Sequence, residues 1–376
     1  MDYSLMSNNK SNYIQFIDTL IKEEEYINKA FKKIQKDVSA HNFDLDHVKI
    51  LLLILWFSDR DFKSSELKEL VLKNDLIPKG SYNKIIALFS EDNIDTLIFK
   101  TGSKKNQKIV LDPKVDEIFF LRKKALLSNL DVITLIISGY RKQKNVPKHF
   151  FHLDFTKYYE KGNPDDFSLI YREIKDFRDL FSNKNNKLKV IIETFYPIHA
   201  VGFLIGKELS KNDLIIKQLN KYSNKNEYWS KTNLDRNIDV SNHWDIIPEI
   251  NIIENKKEIV LVINISGKIT AYVNNFEELK ELDKIILNVK PNPSGSSIKS
   301  EYDLMEKIVS IENIINDLMN KNPIEHIHLF LYAPFTFTVF LGTKIKRFRI
   351  SFYDRKTNPV GESFRIVPGY EKVFTF

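Results

Sequence analysis

Apolar positions in the first third of the chain recur with the spacing of helices. Between residues 11 and 39, Tyr13, Ile14, Phe16, Ile17, Leu20 and Ile21, then Tyr26, Ile27, Phe31 and Ile34, share a face with charges opposite, the 3.6-residue period of an amphipathic helix. The pattern predicts a second helix over 45–57. A third opens at Ser64-Ser65-Glu66-Leu67, a serine N-cap ahead of Leu67, Leu70 and Val71. After the turn Pro78-Lys79-Gly80-Ser81, a fourth runs over 82–89. The period then shortens to that of strands at 96–100 and 108–111, joined by the hairpin loop Thr101-Gly102-Ser103-Lys104-Lys105-Asn106.

Residues 115–140 read as a further helix ending near Gly139, and the basic stretch Arg141-Lys142-Gln143-Lys144-Asn145 before Pro147 reads as a linker. This divides the chain into a helical module, 1–145, and a second domain, 146–376, with halves of about 146–245 and 246–376. Helices followed by a basic hairpin resemble a winged helix-turn-helix module. Beyond the linker, apolar strand-like runs at 188–194, 258–265, 284–289, 326–331, 349–353 and 364–367 alternate with amphipathic helices at 200–209, 276–282 and 302–319. That alternation predicts an α/β domain with largely parallel sheets.

Composition narrows the function classes. Hydrophobic residues make up 43% and aromatics 12%, enough for real cores. There is no cysteine, which excludes disulfides, thiol nucleophiles and thiolate metal sites. The longest apolar run, 50–57, is far below the roughly 20 residues of a membrane span, and the polar opening carries no signal pattern; the expectation is a cytoplasmic protein. The net charge of +7 points to an anionic partner. It is spread evenly, 24 basic against 20 acidic residues in 1–145 and 33 against 30 in 146–376, so an anion site has to be local.

Two strand–turn–helix units look like an internal duplication. One is Lys189-Val190-Ile191-Ile192-Glu193, the turn Tyr196-Pro197-Ile198-His199, and a helix from Ala200 to Leu209 containing Gly206. The other is His326-Ile327-His328-Leu329-Phe330-Leu331, the turn Tyr332-Ala333-Pro334-Phe335-Thr336, and a helix from Phe337 to Gly342. The second unit, with Leu341-Gly342 and a later Tyr353-Asp354-Arg355, resembles the SAVED domain. Upstream, 260–266 and the pair Tyr228-Trp229 match the same family pattern. One departure is the turn, richer in small residues in the family and here carrying Phe335 and Phe337. The similarity covers about 146–376. It implies two CARF-like (Rossmann-like) halves that together bind a cyclic tri- or tetranucleotide, in CBASS or type III CRISPR anti-phage signalling. It also implies ligand-driven oligomerisation that activates an effector; on physical grounds, a ligand held between the two halves can bias how they are oriented.

Physical reasoning reaches the same surface. In α/β sheets, ligands bind beyond the carboxyl ends of the strands, where helix N-termini present N–H groups to phosphates. A cyclic oligonucleotide also needs aromatic faces, each stacked base being worth roughly 1–3 kcal/mol. The candidate ligand residues are Tyr196, Pro197, His199, Trp229, Ser266, Lys268, Pro334, Phe335, Thr336, Tyr353 and Asp354. The competing readings are core packing for Phe335 and Phe337 and a capping role for His199. Pro291-Asn292-Pro293-Ser294-Gly295-Ser296-Ser297 lacks the Lys-Ser/Thr ending of a P-loop and reads as a turn. His326 and His328 read as one buried and one exposed histidine, and no third ligand follows at a metal-site spacing; no metal or cofactor is expected.

No catalytic motif stands in 1–145, and the chain is expected not to be an enzyme. Glu66-Leu67-Lys68 has a nuclease-like spacing but sits on a predicted helix. Two roles therefore compete for the N-terminal module: docking an effector or another subunit, or binding DNA as a ligand-controlled transcriptional regulator. Lys79, Ser81, Tyr82, Asn83 and Lys84 open the candidate recognition helix, and Lys104 and Lys105 decorate the wing. The modest net charge of the module favours protein docking.

Overall fold

Residues 50–56 are apolar without a break, so a helix built from them has to be enclosed on every side. In the computed structural model they lie in α3 (Leu45–Phe57), and all seven side chains are buried. Helix α1 (Lys10–Glu23) packs against both α2 (Glu25–His41) and α3, and α6 (Pro113–Leu121) brings Phe119 edge-on to Phe16 and Trp56, at 6.3 and 5.5 Å between ring centres. A charge is admitted to this core. The buried Lys49 ammonium meets Asp18 at 2.7 Å and Asp46 at 2.6 Å, the pairing a buried cation requires.

The structure describes residues 10–41, 44–57, 62–88, 97–101, 108–122, 132–140, 143, 146, 150–159, 167–181, 188–195, 197–220, 225–230, 238–247, 257–345, 348–360 and 363–375. The chain forms two compact units, 1–130 with 145–150, and 131–144 with 151–376. In the first unit, α3 is followed by β1 (Phe62–Lys63), α4 (Ser64–Lys73), α5 (Lys79–Leu88), β2 (Ile98–Thr101) and β3 (Lys108–Leu111). β2 and β3 pair antiparallel, and β1 joins the far side of β3. Ser64 is the first helical residue and not the cap. Its carbonyl accepts the Tyr82 hydroxyl at 3.1 Å.

The expected helix over 115–140 is corrected. α6 ends at Leu121, and Val132–Ser138 is a strand, β4, at the heart of a parallel sheet in the second unit. A parallel strand covered on both faces is mostly apolar and lacks strict alternation, and β4, with five apolar residues in seven, imitates the buried side of a helix.

The second unit contains two sheets. The first has the order β5-β4-β6-β7-β8, with β5 (Phe151–Asp154), β6 (Lys189–Phe195), β7 (Asp213–Asn220) and β8 (Lys225–Ser230). The second has the order β14-β13-β12-β10-β11-β9, with β9 (Trp244–Ile247), β10 (Glu258–Asn264), β11 (Asp283–Val289), β12 (His326–Tyr332), β13 (Arg349–Val360) and β14 (Ser363–Thr375). β5-β4-β6-β7 and β11-β10-β12-β13 are both parallel, and each ends in an antiparallel partner, β8 or β14. The duplication seen in two segments thus extends to whole sheets. Helices α7 (Ser168–Asp179) and α8 (His199–Glu208) belong to the first half. α9 (Thr270–Val273), α10 (Glu301–Lys321) and α11 (Phe335–Lys344) belong to the second.

The halves join through α8 and α11, which lie side by side in the same direction. Gly206 and Gly342 are each the eighth residue of their helix. A Cβ on Gly206 would stand 1.8 Å from the Val339 carbonyl oxygen, and one on Gly342 would stand 2.2 Å from that of Phe203. Only residues without a side chain permit this approach.

Candidate functional site

Parallel strands deliver their carboxyl ends, and the helix N-termini that follow, to one edge. Both duplicated turns reach that edge and meet there. His199 opens α8, and its Nε2–H donates to the Ala333 carbonyl in the turn before α11 at 2.8 Å. The next N–H of α8, from Ala200, donates to Asp354 Oδ2 at 2.9 Å, and Asp354 Oδ1 stands 3.6 Å from His199 Nδ1. Asp354 thus caps a helix of the other half, placing a carboxylate at the positive end of its dipole. Burial works to raise its pKa. The neighbouring His199 imidazole, the Ala200 N–H and Arg355 outweigh burial and hold the carboxyl below its ordinary value.

Several residues expected to face a ligand belong to the interior. Tyr353 is fully buried, stacked on Phe330 at 4.2 Å in a cluster with Val260, Val262, Ile269 and Tyr370. It sits mid-sheet, where both faces are covered. Trp229 is buried on β8, its indole N–H bonded to Glu227 at 2.8 Å; the adjacent Tyr228 is the exposed member of that pair. Phe335 lies against Gly202, and Thr336 has no exposed surface, because both are at the seam between α8 and α11. His199 and Asp354 are buried as well and tie the two turns together. Pro197 and Pro334 are partly exposed at the edge, Ser266 is partly exposed and Lys268 is exposed. Tyr196 lies outside the described residues.

The rim of this edge contains residues that the sequence reading did not select. Asn264 ends β10 fully buried. Its Oδ1 accepts the Ile269 N–H at 2.9 Å, and its amide group donates to Asn288 at 2.8 Å and Thr270 at 3.2 Å. These bonds fold 265–269 into a fixed loop that presents Ser266 and Lys268. The Tyr332 carbonyl accepts both the Ile265 and the Ser266 N–H. A Cβ on Gly267 would stand 2.6 Å from the Tyr332 ring, and the Arg355 guanidinium lies 5.1 Å from that ring's centre, within cation–π range. Tyr332 and Arg355 were visible in the quoted motifs; what marks them is place, Tyr332 at the end of β12 and Arg355 just beyond the last residue of β13 that pairs with β12. The Ser-rich turn is also here, with Ser294 N–H bonded to the Ile265 carbonyl and Ser297 Oγ bonded to Asn292.

The other end of the second sheet holds a separate group. His326 and His328 are both buried, against the expectation of one in and one out, because residues two apart on a strand face the same side. Each has a ring nitrogen close to the Glu258 carboxylate. Burial lowers the pKa of His326, and the His328 hydrogen bond lowers that of Glu258.

In the first unit, α5 exposes Lys79, Asn83 and Lys84 and partly exposes Ser81. Tyr82 is buried, and burial pushes its phenol up to about 12; it packs the helix down and offers no contact surface. Lys104 and Lys105 lie outside the described residues. Among those residues, no helix is long and apolar enough to cross a membrane.

A family model described as SAVED, the SMODS-associated and fused to various effectors sensor domain, matches residues 170–376. Among solved structures, the chain is similar to the Acinetobacter baumannii Cap4 SAVED/CARF-domain containing receptor with the cyclic trinucleotide 3'3'3'-cAAA. That likeness has 14% identity over 87% of this chain and 67% of the other, with a TM-score of 0.49. For the same receptor with 2'3'3'-cAAA the figures are 14%, 70%, 57% and 0.47. For the Moraxella osloensis Cap4 SAVED/CARF-domain containing receptor they are 13%, 67%, 54% and 0.43. The chain therefore spans between 54% and 67% of the length of these structures. A search of curated proteins gives no match. The family match extends over more than half of the residues, and on it the chain belongs to the SAVED family of sensor domains.

Proposed function

We propose that the second unit captures a cyclic tri- or tetranucleotide of the oligoadenylate type as a second messenger in antiviral defence. Ligand-driven assembly then signals through the first unit to a partner effector. The observation carrying this reading is the shared edge where α8 and α11 begin side by side, rimmed by Ser266, Lys268, Tyr332 and Arg355. The N-terminus of α11, which carries no side-chain cap, an ammonium and a guanidinium suit phosphates, and a partly exposed tyrosine suits a base. Calorimetry of the whole chain against cyclic di-, tri- and tetranucleotides tests it. We expect one member to bind below 1 µM, about 8 kcal/mol. Absence of heat with every member overturns the reading.

The reading makes the chain a sensor and adaptor rather than a catalyst. In the first unit, the order helix, strand, two helices and hairpin supports a winged-helix module, and Glu66-Leu67-Lys68 lies on α4. The exposed Lys79, Asn83 and Lys84 at the start of α5 suit a docking surface for a partner protein. The same residues support a second reading, ligand-controlled binding of DNA with α5 in the major groove. A salt series separates the two, since a DNA complex weakens linearly in log–log terms with added salt.

A further inference from the structure

We propose that Glu258, His326 and His328 form a binding site for a zinc-type divalent cation at the amino-terminal edge of the second sheet, the edge opposite the candidate ligand site. Strands β10 and β12 are parallel neighbours in which Glu258 pairs with His326 and Val260 with His328. One carboxylate and two imidazoles are thereby brought to the same face from two strands. The sequence shows no third ligand near the histidines because that ligand arrives through strand register.

Their spacing fits such an ion. Glu258 Oε2 lies 3.1 Å from His328 Nε2 and 3.3 Å from His326 Nδ1, and all three donor atoms lie within 4.8 Å of one another. A tetrahedral zinc with bonds of about 2.0–2.1 Å separates its ligand atoms by about 3.3 Å. The outer nitrogens are anchored: His326 Nε2 to Ser351 Oγ at 2.9 Å, and His328 Nδ1 to the Tyr353 hydroxyl at 3.0 Å. Ser351 is braced in turn by Thr375 at 2.7 Å. Partners of this kind orient metal-ligating imidazoles.

A second observation points the same way. His326 Nδ1 is buried and makes no well-aligned hydrogen bond, its nearest partner being Glu258 Oε2 at 3.3 Å, and an ion between the two would satisfy the nitrogen more fully. Glu258 leaves a way in, its side chain being 47% exposed. Two positive charges in register with this edge oppose a cation there, the exposed Arg349 opposite His326 and Lys284 opposite Val260. Two nitrogens and one oxygen favour zinc and its late first-row neighbours over magnesium or calcium. The other cluster of similar composition, His243, Asp303 and Glu306, already has a cation, since the Lys307 ammonium is bonded to Asp303.

The test uses the whole chain, stripped of metal with a chelator and titrated with Zn2+ against a chromophoric competitor. We expect one equivalent bound at micromolar Kd or tighter, no Mg2+ binding, and at 100 Kd of free Zn2+ a roughly 100-fold shift of the folding equilibrium toward the native state. Glu258→Gln and His328→Gln should each weaken binding at least about 10-fold, and His243→Asn should leave it unchanged. Circular dichroism confirms that each variant is folded, with the half-exposed Glu258→Gln as the variant least able to disturb the core. Failure of the folded wild type to bind Zn2+ overturns the proposal, as does equal affinity in Glu258→Gln or loss of binding in His243→Asn.

Discussion

Replacing Asp354 by Asn keeps the shape of the side chain and removes its charge. Three interactions change. The bond from Ala200 N–H at 2.9 Å turns from charge-assisted to neutral, a loss of about 1 kcal/mol. The carboxylate at the N-terminus of α8 contributes about 0.3–1 kcal/mol, up to about 2 when partly buried. His199 loses the anion 3.6 Å away. Together these give an expected loss of about 1–3 kcal/mol, a large share of a typical stability of about 5–15 kcal/mol. The pH dependence follows from the lowered pKa of Asp354. A carboxyl depressed in the folded state contributes fully above its unfolded value, about 3.9, and loses that contribution as pH falls through the folded value. Urea denaturation from pH 7 to pH 3, followed by Trp229 and Trp244 fluorescence in a Trp56→Phe background, measures it. The gap between parent and variant should hold from pH 7 to about pH 5 and narrow below about pH 4. A gap that stays constant through pH 3, or a variant as stable as its parent at pH 7, refutes the capping argument.

Gly206→Ala should destabilise the second unit by about 2–3 kcal/mol, because a Cβ 1.8 Å from the Val339 oxygen must push α8 and α11 apart. Helix propensity alone would instead stabilise by about 1 kcal/mol, so the sign of the change in urea midpoint decides. Tyr353→Ala should lose about 3–5 kcal/mol as an emptied core position, whereas Tyr353→Phe should lose about 1 kcal/mol with the His328 contact; equal losses would show that packing is not the larger contribution. Tyr332→Ala and Arg355→Ala should each weaken cyclic oligonucleotide binding about 10-fold while leaving the melting curve near that of the parent. Unchanged calorimetric affinity in both would remove this rim from the ligand site.

The helices of the first unit were legible because their apolar positions fall on one face, as with Phe16, Ile17 and Leu20. The central strands β6, β10 and β12 were legible as short apolar runs between turns. Two kinds of element escaped. β4 is mostly apolar and looks like a buried helix, and β8, with only Trp229 buried among its described positions, carries too little pattern. At the site, motif order led to the edge where the two duplicated turns meet, but sequence cannot tell which residue of a turn looks inward. Tyr353, Trp229, Phe335 and Asp354 all sit near the quoted motifs in sequence, and all are buried. The rim residue Tyr332 and the cap of α8 by Asp354 depend on contacts across as many as 154 positions of chain, which no local spacing encodes.

The glycine crossing of α8 and α11 has a mechanical consequence. Shear between packed helices needs a layer of interdigitated side chains that can exchange rotamers as they slide. Here main chain rests on main chain at Gly206 and Gly342, and a close-packed interior has little compressibility. Such a seam resists sliding and favours movement of the two halves as one. A ligand arriving at the carboxyl edge is therefore expected to express its effect through what lies outside the seam, the loop of Ser266 to Lys268 and the ribbon in which β13 and β14 run on beyond Tyr353, the last residue of β13 that pairs with β12.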